Sequence, residues 1–372
     1  MPTDKHYTST LNWDFILDKI EAAECLLVLG PEAFAAPDGV SYSDKLIAHL
    51  DPANNKNIQR FYEGDDFFLF DDLSKQTLVC HDIKTFYSKA KPDETLKLLA
   101  EIPFHVILTV TPDKLLNQAF DAKGFAYQFG HYKKNKEPLT IKTPTKQNPL
   151  IYNLFGCLDS EESLILTHND LYDYFKSIFA RKSMPQLLKD QLRNIRNILF
   201  LGVPFDKWYM QLLLRELEIH NAGFAFLRFA ANQSLPGEIE TFCTEQFKIN
   251  FIFDKKAQGM PEEKTGQTSI ARFIEDLHER CRQRGIMRQK GGKEQSDADK
   301  IKLLVSEGEL ESALNLLEES AFDSGIQDDV IMLTGRYRNF KRRFINKLLR
   351  EEEVEVQQAN IINDVLALAN QL

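Results

Sequence analysis

Six short apolar runs, each separated from the next by stretches of helical periodicity, restrict this chain more than any single motif. They lie at residues 25–29, 105–109, 151–154, 198–202, 223–228 and 249–253. Between them apolar side chains recur at three-to-four spacing. Trp13, Leu17, Ile20 and Ala23 precede the first run, and Trp208, Leu212, Leu213 and Leu217 follow the fourth. Strands alternating with helices predict an α/β fold, a doubly wound, Rossmann-like parallel sheet covered on both faces. The Phe- and Asp-rich residues 61–81 read instead as an insertion or a small helical subdomain, not as sheet.

Beyond residue 284 the pattern changes. Arg288 to Ser296 carry no apolar period and include Gly291 and Gly292, the composition of a flexible linker. The expected division is a first domain over 1–286, a linker over 287–297 and a small all-helical bundle over 298–372. In the bundle, apolar faces run through Ile301, Leu304 and Val305, then Leu310, Ala313, Leu314 and Leu317. A third face carries Val330, Leu333, Tyr337, Phe340 and Phe344, and a fourth Ile361, Ile362, Val365, Leu366 and Leu368.

The formal net charge of -9 over 372 residues disfavours broad attraction to nucleic acid or to an anionic membrane. No apolar stretch approaches the roughly 18 residues of a membrane span. The first residues lack a signal-peptide core, so a cytoplasmic chain is expected. Cys25, Cys80, Cys157, Cys243 and Cys281 form no Cys-x-x-Cys pair, and the eight histidines show no ligand spacing, so no metal is expected.

Polar residues gather where the strands end, the edge at which parallel sheets bind nucleotides. Gly30 follows the first strand; Thr109, Thr111 and Asp113 close the second; Gly156 follows Leu154-Phe155; Gly202 and Asp206 follow the fourth. Glycine after a buried strand lets backbone amides approach a phosphate, although Pro31 removes one donor. Asp113 and Asp206 read as an acid–base pair or, more simply, as caps of the helices that follow. In Thr167-His168-Asn169-Asp170, Thr167 or Asn169 reads as a helix cap and His168 as a neighbour of it. His105 reads as a core or edge histidine, and Trp208 and Tyr209 as residues packed on the sheet.

The order and spacing of these motifs resemble the sirtuin-like domains of bacterial defence proteins over residues 11–286. Leu154-Phe155-Gly156 followed by Ser163 to Leu171 carries the resemblance most specifically. Active members have Gly-Ala-Gly-x-Ser, then Thr-x-Asn-x-Asp, then His-Gly. The resemblance implies NAD or ADP-ribose as ligand, with Gly30, Thr109, Thr111, Asp113, Gly156, Gly202 and Asp206 as binding residues. Thr111 stands at the place of the Asn and Phe155 at that of the catalytic His. Scission of a nicotinamide–ribose bond needs a positioned base or polar orienter, and a phenyl ring has no proton or lone pair to offer. Losing one such group typically costs about 10²–10⁴ in rate. No catalytic residue is therefore assigned, and a non-catalytic module is expected, serving either to bind a nucleotide or only as a scaffold. The alternative is an NAD-hydrolysing effector with a rearranged site built from Asp113 and His168.

Thr334-Gly335-Arg336-Tyr337, the basic stretch that runs on to Arg343, and the preceding helix from Gly308 to Leu317 resemble the effector-associated domains of bacterial conflict systems. The resemblance implies an adaptor: residues 298–372 would recruit a protein partner or a second copy, giving a homo-oligomer. A solvated charged face, balanced by Glu351, Glu352 and Glu353, is the plainer reading of the same stretch. Nucleic acid ranks below both, because the pattern exposes no aromatic residue there.

Overall fold

The computed structural model describes residues 11–36, 38–134, 141–179, 184–195, 197–217, 228–232, 235–252, 269–289, 297–306, 308–321, 326–345 and 351–369. The chain divides into two compact units, Met1–Lys290 and Gly291–Leu372.

The first unit opens with α1 (Trp13–Glu21), β1 (Cys25–Leu29) and α2 (Tyr42–Leu50), then a hairpin of β2 (Arg60–Tyr62) and β3 (Phe67–Leu69). After α3 (Leu73–Lys89) and α4 (Glu94–Glu101) come β4 (Val106–Thr109), α5 (Leu115–Lys123), β5 (Gln128–His131) and β6 (Leu150–Asn153). Helices α6 (His168–Phe179) and α7 (Gln186–Asn194) lead to β7 (Asn197–Leu201) and α8 (Trp208–Glu216). The unit closes with β8 (Arg228–Ala231), α9 (Gly237–Phe247), β9 (Asn250–Ile252) and α10 (Ser269–Arg284).

Seven strands form one parallel sheet in the order β5-β6-β4-β1-β7-β8-β9. Successive side chains on a strand point to opposite faces, and the core divides accordingly. Cys25, Leu27 and Leu29 of β1 join Ile107, Ile151, Leu199 and Leu201 on one face, covered by α1, α3, α4, α5 and α10. Leu26 and Val28 join Val106, Leu108, Tyr152, Ile198 and Phe200 on the other, covered by α6, α7, α8 and α9. That double cover explains why the central strands read as unbroken apolar runs. The α/β expectation holds, and the strand order reverses between β1 and β7.

Two local expectations change, and one strand is added. Residues 61–81 begin as the antiparallel hairpin of β2 and β3, and only then become helix α3. Three-residue strands are too short to leave a period in the sequence. The fifth expected strand is hydrogen-bonded from Arg228 onward, and its earlier residues lie outside the described ones. β5, with Gly130 and His131, was not readable as a strand.

Arg288, within the stretch expected to begin the linker, is buried. Its guanidinium donates to the carbonyls of Ala100 at 2.8 Å, Ile102 at 2.9 Å and Phe104 at 2.8 Å, and also to that of Lys146. It thereby satisfies carbonyls left open at the end of α4. Burial lowers its pKa to about 9.

His105 precedes β4, and both ring nitrogens are buried without a well-formed hydrogen bond. Burial pulls its pKa down from 6.5 to about 4. The neutral ring is therefore favoured in the fold, while the unfolded chain binds the proton near pH 6.5. Stability from this residue is present above that pH and is lost as pH falls toward 4. The loss should reach about 3 kcal/mol at 1.36 kcal/mol per pKa unit. Urea unfolding at a series of pH values checks this, with His105→Leu expected to show a flatter acid limb. Equal limbs in the two proteins would refute it.

The second unit is a bundle of α11 (Asp297–Ser306), α12 (Leu310–Ser320), α13 (Gln327–Ile345) and α14 (Glu351–Ala369). Its core holds Ile301, Ala313, Leu314, Leu317, Val330, Leu333, Ile361 and Val365. The expected faces turn toward this core, with Leu304, Val305, Tyr337, Phe340, Ile362 and Leu368 only partly buried; Ile345 and Leu348, expected on the same face as Phe344, lie outside the described side chains. Phe344, however, is 54% exposed, so an aromatic does reach the surface beside the basic stretch.

Candidate functional site

The strand order places the switch of the sheet between the ends of β1 and β7, where Gly30 and Gly202 stand. The two glycines face each other across that seam. A Cβ on Gly30 would lie 2.0 Å from the Gly202 carbonyl oxygen and 2.5 Å from Val203 Cα. Gly202 has φ +65°, and a Cβ there would lie 2.5 Å from the Ala33 amide nitrogen. Both positions require glycine because backbone lies against backbone.

The amides of this loop already have acceptors. Gly30 donates to the Leu201 carbonyl at 2.9 Å, Glu32 to Gly202 at 3.3 Å, Ala33 to Gly30 at 3.1 Å and Phe34 to Pro31 at 3.1 Å. Pro31 has no N–H. A phosphate cradle depends on several unengaged amides pointing at one anion. From Gly30 to Phe34 each amide is engaged within the protein.

At the end of β4 the polar residues form a buried network. The Thr109 hydroxyl lies 2.8 Å from Asn153 Oδ1 and 3.0 Å from the Thr111 carbonyl. Asn153 Nδ2 donates to the Asp113 carbonyl at 2.9 Å. Asp113 Oδ1 accepts from the Leu115 amide, the first of α5, at 2.9 Å; the N-cap position itself is Lys114, which gives no side-chain cap, so Asp113 braces the helix entry from one residue before the cap expected of it. Thr111 Oγ1 and Asp113 Oδ2 are buried without a well-aligned partner. Burial pushes the Asp113 carboxyl up, against the Leu115 amide and the nearby Thr111 hydroxyl, which pull it down. Asn153 was missed in the sequence because it sits inside an apolar run and reads as strand filler.

Phe155 is partly buried on the α6–α9 face of the core. Its ring meets Tyr174 edge-on at 5.3 Å and Tyr209 at 5.9 Å. Tyr209 in turn meets Phe67 of the hairpin at 5.2 Å, and Phe67 meets His168 at 5.0 Å. Tyr62 closes the run against His168 at 5.0 Å. Such offset and edge contacts each contribute about 0.5–1.5 kcal/mol beyond area burial.

The hairpin is held by polar contacts as well. His168 Nε2 lies 3.0 Å from Asp65 Oδ2. Lys207 Nζ reaches Asp66 at 2.8 Å and the Gly64 carbonyl at 3.0 Å. The Phe68 amide donates to the Leu166 carbonyl at 2.8 Å. Thr167 caps α6 through the Asp170 amide at 3.1 Å, while Asp170 returns a bond to the Thr167 amide, a reciprocal capping box. His168 thus belongs to the hairpin clasp and Asp113 to the entry of α5. No hydrogen bond or ring contact joins them among the described residues.

Gly156, at φ +89°, packs against Ser163, whose carbonyl oxygen would lie 2.1 Å from an added Cβ. Asp206 is exposed, and α8, whose N-cap is Lys207, has no side-chain cap. Tyr209 packs as expected, but Trp208 is 41% exposed. All five cysteines are buried free thiols. Burial raises the pKa of each; for Cys25, Cys80, Cys243 and Cys281 it reaches about 12. Among the described residues no group of three or more His, Cys, Asp or Glu could hold a metal, and no helix is long and apolar enough to cross a membrane.

A doubly wound parallel sheet with its polar residues collected beside the switch point defines a Rossmann-like protein. Residues 105–245 match the model of the SIR2-like domain, and residues 296–372 match that of effector-associated domain 11. The chain therefore carries a SIR2-like domain followed by an effector-associated domain, and both resemblances hold at that level. The first match spans Thr109 through Asp206 and leaves Gly30 outside it. No curated protein matches the chain. The two domains together fit a bacterial defence or conflict protein, and the second points to protein–protein interaction in signalling.

Proposed function

We propose that the first unit is a non-hydrolysing SIR2-like scaffold. Residues 298–372 recruit a protein partner or a second copy in bacterial antiviral or conflict signalling. The observation that carries the reading is the Gly30–Gly202 seam, where backbone lies on backbone and the loop amides are engaged. Phe155, built into a run of rings at the place of the family's catalytic His, supports it further. Of the two roles the resemblance allowed, nucleotide binding and scaffolding, the engaged amides favour scaffolding.

Incubation of the full chain with NAD, followed by mass spectrometry, tests this. Nicotinamide release should not exceed the blank, and calorimetry with NAD or ADP-ribose should give no saturable heat. The double variant Thr111→Asn with Phe155→His is the sharper case. If only the chemical groups were missing, restoring them should raise turnover by about 10²–10⁴. With the phosphate seat closed, the double variant should stay at the blank. Robust release by the unaltered chain would sink the proposal.

A further inference from the structure

Helices α13 and α14 flank a half-open surface cavity of about 250 Å³ lined by Arg336, Asn339, Phe340, Arg343, Gln357, Asn360 and Ile361, of which Arg336, Asn339, Arg343 and Asn360 are exposed. Arg336, Phe340 and Arg343 share one face of α13 at intervals of four and three residues. Gln357, Asn360 and Ile361 do the same on α14. Phe340 and Ile361 root the cavity in the bundle core. Its polar lining consists of two guanidinium groups and three carboxamides, which together offer many N–H donors and no negative charge.

Arg336 is held at one end by Asp364 at 2.7 Å. Arg343 forms no ion pair among the described residues, in contrast to Lys341 on the same helix, which pairs with Glu311 at 2.6 Å. One guanidinium is thus fixed, and the other has no ion pair among the described residues and borders a concave, donor-rich space. The volume falls below the roughly 300–1,000 Å³ of pockets for drug-sized ligands, so a small occupant fits. Guanidinium forks match tetrahedral oxyanions in a bidentate way, and carboxamides can complete the shell.

We infer that this cavity is a binding site for a small molecule carrying a phosphate group. The site lies wholly within the second unit and is independent of how the SIR2-like unit is read.

Titration of the full chain with inorganic phosphate and with a nucleoside monophosphate, by calorimetry at physiological salt, tests the assignment. Saturable binding of either is expected. Arg343→Gln should weaken it about tenfold or more, the loss of one charge-assisted contact. Arg343→Lys keeps the charge and guards against misfolding; it should lose part of the affinity, because the fork is gone. Arg338→Gln removes a charge from the same helix outside the cavity and should leave binding unchanged. Absence of saturable binding by the unaltered chain would overturn the site. So would equal losses in Arg338→Gln and Arg343→Gln, which would mean a diffuse basic surface. Co-sedimentation with anionic lipid vesicles without any response to the soluble phosphates would also overturn it.

Discussion

Gly30→Ala should destabilise the first unit severely. The added methyl would sit 2.0 Å from the Gly202 carbonyl oxygen and 2.5 Å from Val203 Cα. Both are backbone atoms of the loop after a fully buried central strand, so neither can swing aside as a side chain would. Gly202→Ala meets the Ala33 amide nitrogen at 2.5 Å and adds left-handed strain at φ +65°, itself worth roughly 1–2 kcal/mol. Each change should cost about 4 kcal/mol or more, the range reserved for named structural failures. That is a large part of the 5–15 kcal/mol typical of a folded protein. The urea midpoint of the far-ultraviolet signal and resistance to proteolysis would measure it. Gly64→Ala, with nothing within 4 Å of the new methyl, should be nearly neutral. A Gly30→Ala protein that unfolds at the unaltered midpoint would refute the closed seam.

The second large effect is expected at Arg288. Arg288→Ala removes the donor shared by the Ala100, Ile102, Phe104 and Lys146 carbonyls and leaves a void beneath the Phe120 ring, over which the guanidinium lies at 4.9 Å. An orphaned buried acceptor costs about 1–3 kcal/mol, and cavity formation adds to it. Together these should destabilise the first unit by about 3–5 kcal/mol. Arg288→Lys keeps one charge and one donor direction but lacks the planar fork, so about half the loss should remain. Chemical denaturation of the three proteins settles the matter. A shift below about 1 kcal/mol in Arg288→Ala would show the carbonyls to be served by water instead.

Much of the architecture was legible because the central strands are apolar over most of their length and the helices between them keep their period. Leu26 to Leu29 and Ile198 to Leu201 could hardly be read otherwise. The candidate site was legible only in outline. Gly30 and Gly202, each read alone, suggest room for a phosphate. Their contact spans more than 170 positions of sequence and turns the same two residues into a seal. Asn153 and Arg288 were hidden by their neighbours, one inside an apolar run and one inside a stretch with no period at all. The hairpin around Asp65 left no trace because its strands are three residues long, and its hold on His168 and Tyr209 is purely tertiary. Asp113 and Asp206 looked equivalent in the sequence; burial separated them, setting one against the first amide of α5 and leaving the other in water.

The thiols carry a last consequence. Electrophiles and peroxides attack the thiolate, and here every thiol is sequestered and held protonated. Oxidative bursts and thiol-directed reagents should therefore pass this molecule by while it remains folded. Cysteine oxidation is thereby closed as a route by which the folded molecule could be altered.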